Sequence, residues 1–218
     1  MPIPDDLESK RQLIQSVRED GFASLGQLDI NALAPLLPPM LMGGTPWPSE
    51  RPEWRVIRRP QSTLIVSSGL SDPVKDDRGY IKLGCGMEIV GECAGWPKEP
   101  QNTALFGLVG QVSDALAEYG DIPEYIDGEG ALSMQIPADD IPPEWHLADG
   151  TACALIGVPT LRIPKQLETP LGPIRLIVAN LLKPQEAESI LKSSNQQQAR
   201  NMLASRMAAT PAGYWCRA

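Results

Sequence analysis

Apolar positions recur at helical spacing from the start of the chain. Leu7, Leu13, Ile14 and Val17 mark one face of a helix over residues 5–19, with Asp5 at the cap and Glu8 three residues on, as in a capping box. The pattern breaks at 35–60, where nine Pro and Gly residues (Pro35, Pro38, Pro39, Gly43, Gly44, Pro46, Pro48, Pro52 and Pro60) predict an irregular, packed connection. Gln61 to Ser68 is apolar and β-branched and reads as a strand ending in the Gly69-Leu70-Ser71-Asp72-Pro73 turn. Along 86–93, Met87, Ile89 and Cys93 share one side while Glu88, Val90 and Glu92 share the other, which predicts a strand with a charged side to water. Asn102 then caps a strong helix over 102–119 bearing Leu105, Phe106, Leu108, Val109, Val112 and Leu116, with Gly120 as its C′ residue. Further strands are predicted at 131–136, 152–157 and 173–181, the last nearly continuous in apolar residues and so buried on both faces. Helices follow from Pro184 through 185–193 and from Gln196 to Ala209, with a short strand at 213–216. No internal repeat interrupts this order. Strands and helices that do not strictly alternate predict an α+β fold, with a mixed sheet packed by helices.

Composition narrows the class. The 218 residues suffice for a sizeable core and divide into an N-terminal helix and Pro-rich connection, 1–45, and a main body, 46–218, read together as one compact unit. Twenty-two prolines favour short strands and many loops. No apolar run reaches the ~20 residues that span a bilayer, and the N-terminus shows neither a basic nor an apolar signal region. Cys85, Cys93, Cys153 and Cys216 form no C-x-x-C pair and no metal spacing, so they read as buried thiols; a Cys85–Cys93 bridge would need an oxidising compartment. The expectation is a soluble, cytoplasmic protein.

Charge is distributed unevenly. Between Lys98 and Arg162 there is no Lys or Arg, while 11 acids fall in those 63 residues; with −8 for the whole chain, the remainder carries +3. Such a stretch either solvates a surface or docks a basic partner, and it repels nucleic acid. The candidate contact residues are Asp121, Glu124, Asp127, Glu129, Asp139, Asp140 and Glu144, around the aromatic anchors Tyr125 and Trp145. The basic cluster Arg51, Arg55, Arg58 and Arg59 lies beside Trp47 and Trp54, but a pI near 4.7 argues for pairing with acids rather than with nucleic acid.

Catalytic signals are sparse. His146 is the only histidine, so any Cys–His pairing must be with it, Cys153 being the nearest thiol in the chain. There is no P-loop, no G-x-G-x-x-G after a strand and no G-x-S-x-G. Gly84-Cys85-Gly86 is too short to cradle a phosphate, and Asp139-Asp140 on a Pro-bounded loop reads as a solvated turn before it reads as a cation site. The expectation is a protein without catalytic residues, metal or cofactor.

Three segments in order resemble the suppressor-of-fused (SUFU) domain family: Ser67-Ser68-Gly69-Leu70-Ser71-Asp72, preceded by Pro46-Trp47-Pro48; Gly84-Cys85-Gly86-Met87-Glu88-Ile89; and Glu168-Thr169-Pro170-Leu171-Gly172-Pro173-Ile174. The similarity covers roughly 46–190, and the first 40 residues lie outside it. It implies a SUFU-like α+β fold and a protein whose task is binding. Eukaryotic members grip a peptide by strand addition, and compact bacterial members look like immunity proteins of toxin systems, including those of type VI secretion. The resemblance therefore implies a cytoplasmic immunity protein that neutralises a cognate effector toxin; the acid window suits a basic toxin such as a nuclease, and a monomer is favoured with the oligomeric state left open. Two rivals stand beside it. One is a regulatory or scaffold domain that recognises a peptide by strand addition. The other is a hydrolase built on His146 or on Asp139 and Asp140.

Overall fold

The computed structural model describes residues 5–35, 46–119 and 121–209. Helix α1, Leu7–Ala23, is capped by Asp6, whose Oδ1 accepts from Ser9 N at 2.8 Å, so the cap falls one residue later than the sequence pattern places it. Its buried side chains Ile14, Arg18 and Phe22 recur every four residues and define the inward face.

Strands β1 (Gln27–Leu28), β2 (Glu53–Arg58) and β3 (Ser62–Ser68) run antiparallel in sequence. A small separate hairpin of β4 (Pro73–Lys75) and β5 (Ile81–Leu83) follows, then β6 (Met87–Ala94). Helices α2 (Ala104–Leu116) and α3 (Ile122–Glu129) precede β7 (Leu132–Ile136), β8 (Ala152–Ile156), β9 (Gln166–Leu167) and β10 (Ile174–Leu182); α4 (Pro184–Leu191) and α5 (Gln196–Ala209) come last. The main sheet is ordered β1-β2-β3-β6-β10-β8-β7, with β9 also on β10. Only β6 and β10 pair in parallel, so the sheet is mixed and the fold is α+β.

Both faces of the sheet are covered. One core cluster joins Val56, Ile65, Met87, Ile89, Ile177 and Ala154 to α2 and to Ile122 and Ile126 of α3. The other joins Ile57, Leu64, Val66, Val90, Leu176 and Leu155 to α1, α4 and α5. Gly91 admits α2 to the sheet: a Cβ there would stand 2.6 Å from Leu105 Cδ1 and 2.7 Å from Val109 Cγ2.

Several sequence expectations need correction. Glu53–Arg58 is a regular strand inside the segment read as irregular, with Trp54 and Val56 turned into one core cluster and Ile57 into the other. Thr103, not Asn102, caps α2, because Pro100–Asn102 closes into a 3₁₀ turn that delivers Thr103 Oγ1 to Phe106 N. Helix α3, Ile122–Glu129, lies where the sequence pattern predicts no element. The charged side of β6 does not face water: Glu88 is 0% and Glu92 3% exposed. Gly120, the predicted strand at 213–216, Cys216 and residues 36–45 lie outside the described residues.

Candidate functional site

The predicted acids form two groups at opposite ends of β7. Register places Leu132 opposite Ile156 and Ile136 opposite Ala152, so α3 enters one end of the strand and the 137–146 loop leaves the other, roughly 14 Å away at strand rise.

At the first end, α3 carries Ile122 and Ile126 inward and presents Asp121, Glu124, Tyr125, Asp127 and Glu129 outward. The helix is tied down from two directions. The amides of Gln197 and Asn201 on α5 donate to the Glu129 carbonyl at 2.7 and 2.9 Å, and Asn201 Oδ1 accepts from Ala131 N at 2.9 Å. Asp127 takes both Nη groups of Arg175, on β10, as a bidentate ion pair. These hydrogen bonds from Arg175 hold the Asp127 carboxyl below the ordinary carboxylate range. Tyr125 is 46% exposed and stands among the acids.

A depressed carboxylate stabilises the fold above its unfolded pKa, about 3.9, and that contribution is lost as pH falls through the lower folded value. The melting advantage of the natural protein over Asp127→Asn should therefore shrink between pH 6 and pH 3. Because the pair is largely exposed, the advantage is about 1–3 °C at most. Parallel melting curves against pH would show that the pair contributes nothing.

At the second end, Asp139, Asp140 and Glu144 are exposed, and His146 Nε2 bonds the Ile141 carbonyl at 2.7 Å to close the loop. Trp145 is half-buried and packs on the first core cluster, so it fastens this loop to the core and is not a free-standing anchor. Of the acids proposed as contacts only Asp127 sits in an ion pair; Asp121, Glu124, Glu129, Asp139, Asp140 and Glu144 make none within 4 Å among the described residues.

Three of the four arginines of the basic cluster are paired internally, and Arg51 is exposed with no ion pair among the described residues. Arg55 pairs with Glu19 and Glu53, Arg58 with Asp29, and Arg59 with the buried Glu92, which Arg162 also bonds at 2.8 Å. No hydrogen bond joins His146 to Cys153, whose thiol burial pushes up to about 11. Cys85, Cys93 and Cys153 are buried free thiols, and no group of three or more potential ligands converges among the described residues. No helix among them is long and apolar enough to cross a membrane.

One constellation had no signal in the sequence pattern. Arg18 of α1 is 3% exposed, and its Nη1 donates to Ser71 Oγ at 3.0 Å, Asp72 Oδ1 at 2.8 Å and Glu88 Oε1 at 3.3 Å. Glu88 also accepts from Ser67 Oγ, Ser71 Oγ and the amides of Gly69 and Ser71. Arg18 Nε–H has no acceptor among the described residues, while Nη1 and the donors around Glu88 are all paired within the cluster, which makes it a structural clasp between α1 and the sheet.

No family model matches the chain, and no curated protein matches it. Among solved structures, the chain is similar to one described as the Sufu–Fu complex, at 17% identity over 99% of this chain and 93% of that one, with a TM-score of 0.45. It is also similar to Drosophila Suppressor of Fused, at 18% identity over 81% of this chain and a TM-score of 0.43. The match spans 42% of that second structure's length. The likeness is one of fold.

Proposed function

We propose that this protein is an immunity protein, which binds a basic effector toxin inside the producing cell and neutralises it by covering a working surface or blocking delivery. The observation that carries this reading is the division of charge. Seven arginines, Arg55, Arg58 and Arg59 among them, pair with acids of the chain itself, whereas six acids at the two ends of β7 have no ion-pair partner among the described residues. A surface of one sign, mounted on a helix fixed by Gln197, Asn201 and Arg175, speeds encounter with a cationic protein and rejects acidic ones. A nuclease toxin, with a basic substrate face, fits this charge. Binding of this kind needs no catalytic group.

A second reading is favoured by a different observation. Strand β7 ends the sheet, and Leu132–Ile136 contains neither charge nor proline to discourage pairing along its outer edge. That edge suits a regulatory domain that takes a peptide by strand addition.

Pull-down with the tagged protein, washed at low and moderate salt, separates the two. The immunity reading expects one stoichiometric basic protein that is toxic when expressed alone and harmless with this chain. Several partners sharing a short segment, or no toxic partner, would overturn it in favour of the peptide reading.

A further inference from the structure

Two adjoining hollows, of about 480 and 770 Å³, run along the outer side of α2 and share Gln101 and Asp140. Glu99, Asp114, Asp139 and Asp140 line them, and among the described residues no Lys, Arg or His does. The floor is the backbone of α2 itself at Gly107 and Gly110, continued on the same face by Gln111 and Asp114. Gly107 has an internal reason, because a Cβ there would stand 3.0 Å from Asp140 Cβ. Gly110 has none: a Cβ would meet nothing within 4 Å, yet glycine inside a helix costs about 1 kcal/mol against alanine. The residue keeps open a channel that the fold does not fill with any described side chain.

The facing wall is apolar, made by Leu33, Trp54 and Phe106. Trp54 is 5% exposed, its ring stacked edge-on between Trp47 and Phe106, and its Nε1–H has no acceptor among the described residues. A buried donor without an acceptor is a cost that a fold rarely leaves standing without a ligand or partner nearby. Asp114 is half-buried and accepts one bond, from Trp47 Nε1 at 2.8 Å, and burial pushes its carboxyl up. A cation placed beside it would replace the lost water.

We propose that this groove seats a basic amphipathic helix of the partner, which lays a small or apolar face over Gly110 and directs cationic side chains to Asp114 and Asp140. The inference rests on the reading that the partner is basic. Asp140 packs at Gly107, two turns of α2 from Asp114, so the carboxylates are roughly 10 Å apart along the helix axis. That separation is too long for one metal ion or one guanidinium. It matches side chains two turns apart on an opposing helix, with the intervening turn free to pack against Trp54 and Phe106. The bare backbone at Gly110 lets such a helix approach closely.

The test needs no toxin. An alanine-based helical peptide carrying two arginines two turns apart is titrated into the isotope-labelled full chain, beside the same peptide with citrulline at both positions. The arginine peptide should move the Trp54 indole N–H signal, and the citrulline peptide should bind roughly tenfold more weakly or worse. Gly110→Leu, which fills the floor, should abolish the shift. Asp140→Asn, an exposed and conservative change, should weaken binding by roughly tenfold and carries the test if Gly110→Leu fails to fold. Absence of binding by the arginine peptide, equal binding by both peptides, or unchanged binding in a folded Gly110→Leu variant would overturn the groove. Protection of cells against the toxin with a negative titration would overturn the groove alone; a positive titration without protection would overturn the immunity reading alone.

Discussion

Arg18→Ala should destabilise the protein by about 3–5 kcal/mol, which is a large share of the 5–15 kcal/mol that holds a typical domain folded. The cause is what the substitution leaves behind. Glu88 is 0% exposed, and Arg18 supplies the countercharge that touches it. Ser67, Ser71 and the Gly69 amide would still donate to the carboxylate, but neutral donors do not cancel a buried charge. For a chain of this size the melting temperature should fall by about 6–20 °C. Two accompanying measurements identify the mechanism. Adding Glu88→Gln to the variant should restore part of the loss, because a buried amide needs no countercharge. The pH dependence should also steepen without changing sign. Burial already pushes the Glu88 carboxyl up against the pull of Arg18 and the serines, and removing Arg18 pushes it further. A group whose folded pKa lies above its unfolded value stabilises the fold at low pH and loses that contribution as pH rises. The deficit of Arg18→Ala should therefore narrow as pH falls from 8 towards 5. A loss under about 2 °C, or one that Glu88→Gln does not ease, would mean that the clasp is not a charge-compensation device.

The second large effect is on association. Changing Asp121, Glu124 and Glu129 together to Lys should slow binding of the cognate effector by about 10–100-fold at low salt and flatten the dependence of the rate on ionic strength. Asp127 is left in place because it bonds Arg175, and its loss would confuse steering with a loosened helix. The dissociation rate should change much less, since exposed charges act mainly before contact and are screened beyond about 8 Å at physiological salt. Stopped-flow mixing across a salt series reads both quantities. An unchanged association rate would remove α3 from the binding surface while leaving the question of neutralisation to co-expression.

Several elements were legible in the sequence because their signal is local. Strand β3, strand β10 and helix α5 fall where β-branched runs, a continuous apolar run and helical composition place them. Strand β2 was hidden because Pro52 and Pro60 bracket a run whose alternation is clear only once Trp54 and Val56 have a core to enter. Helix α3 was hidden because Pro123 and Gly128 read as breakers, although proline is well tolerated in a first helical turn. The acids of the candidate surface were visible as a run of one sign, but their separation by β7 and the withdrawal of Asp127 into an ion pair were not.

The sequence alone determined the α+β class, the order of most elements and the concentration of uncompensated acid between Lys98 and Arg162. Those properties are decided over stretches of a few to a few dozen residues, where propensity, periodicity and charge sum without reference to the rest of the chain. Only the tertiary structure decided which charges remain available. Glu88 and Glu92 look solvent-facing by alternation, yet each meets an arginine 70 positions away, Arg18 in one case and Arg162 in the other. Arg55, Arg58 and Arg59 look like a basic patch, yet they meet acids brought in from α1, β6 and the segment after β1. A charge is cancelled by whatever lies within a few ångströms, and that neighbour is set by packing rather than by position along the chain.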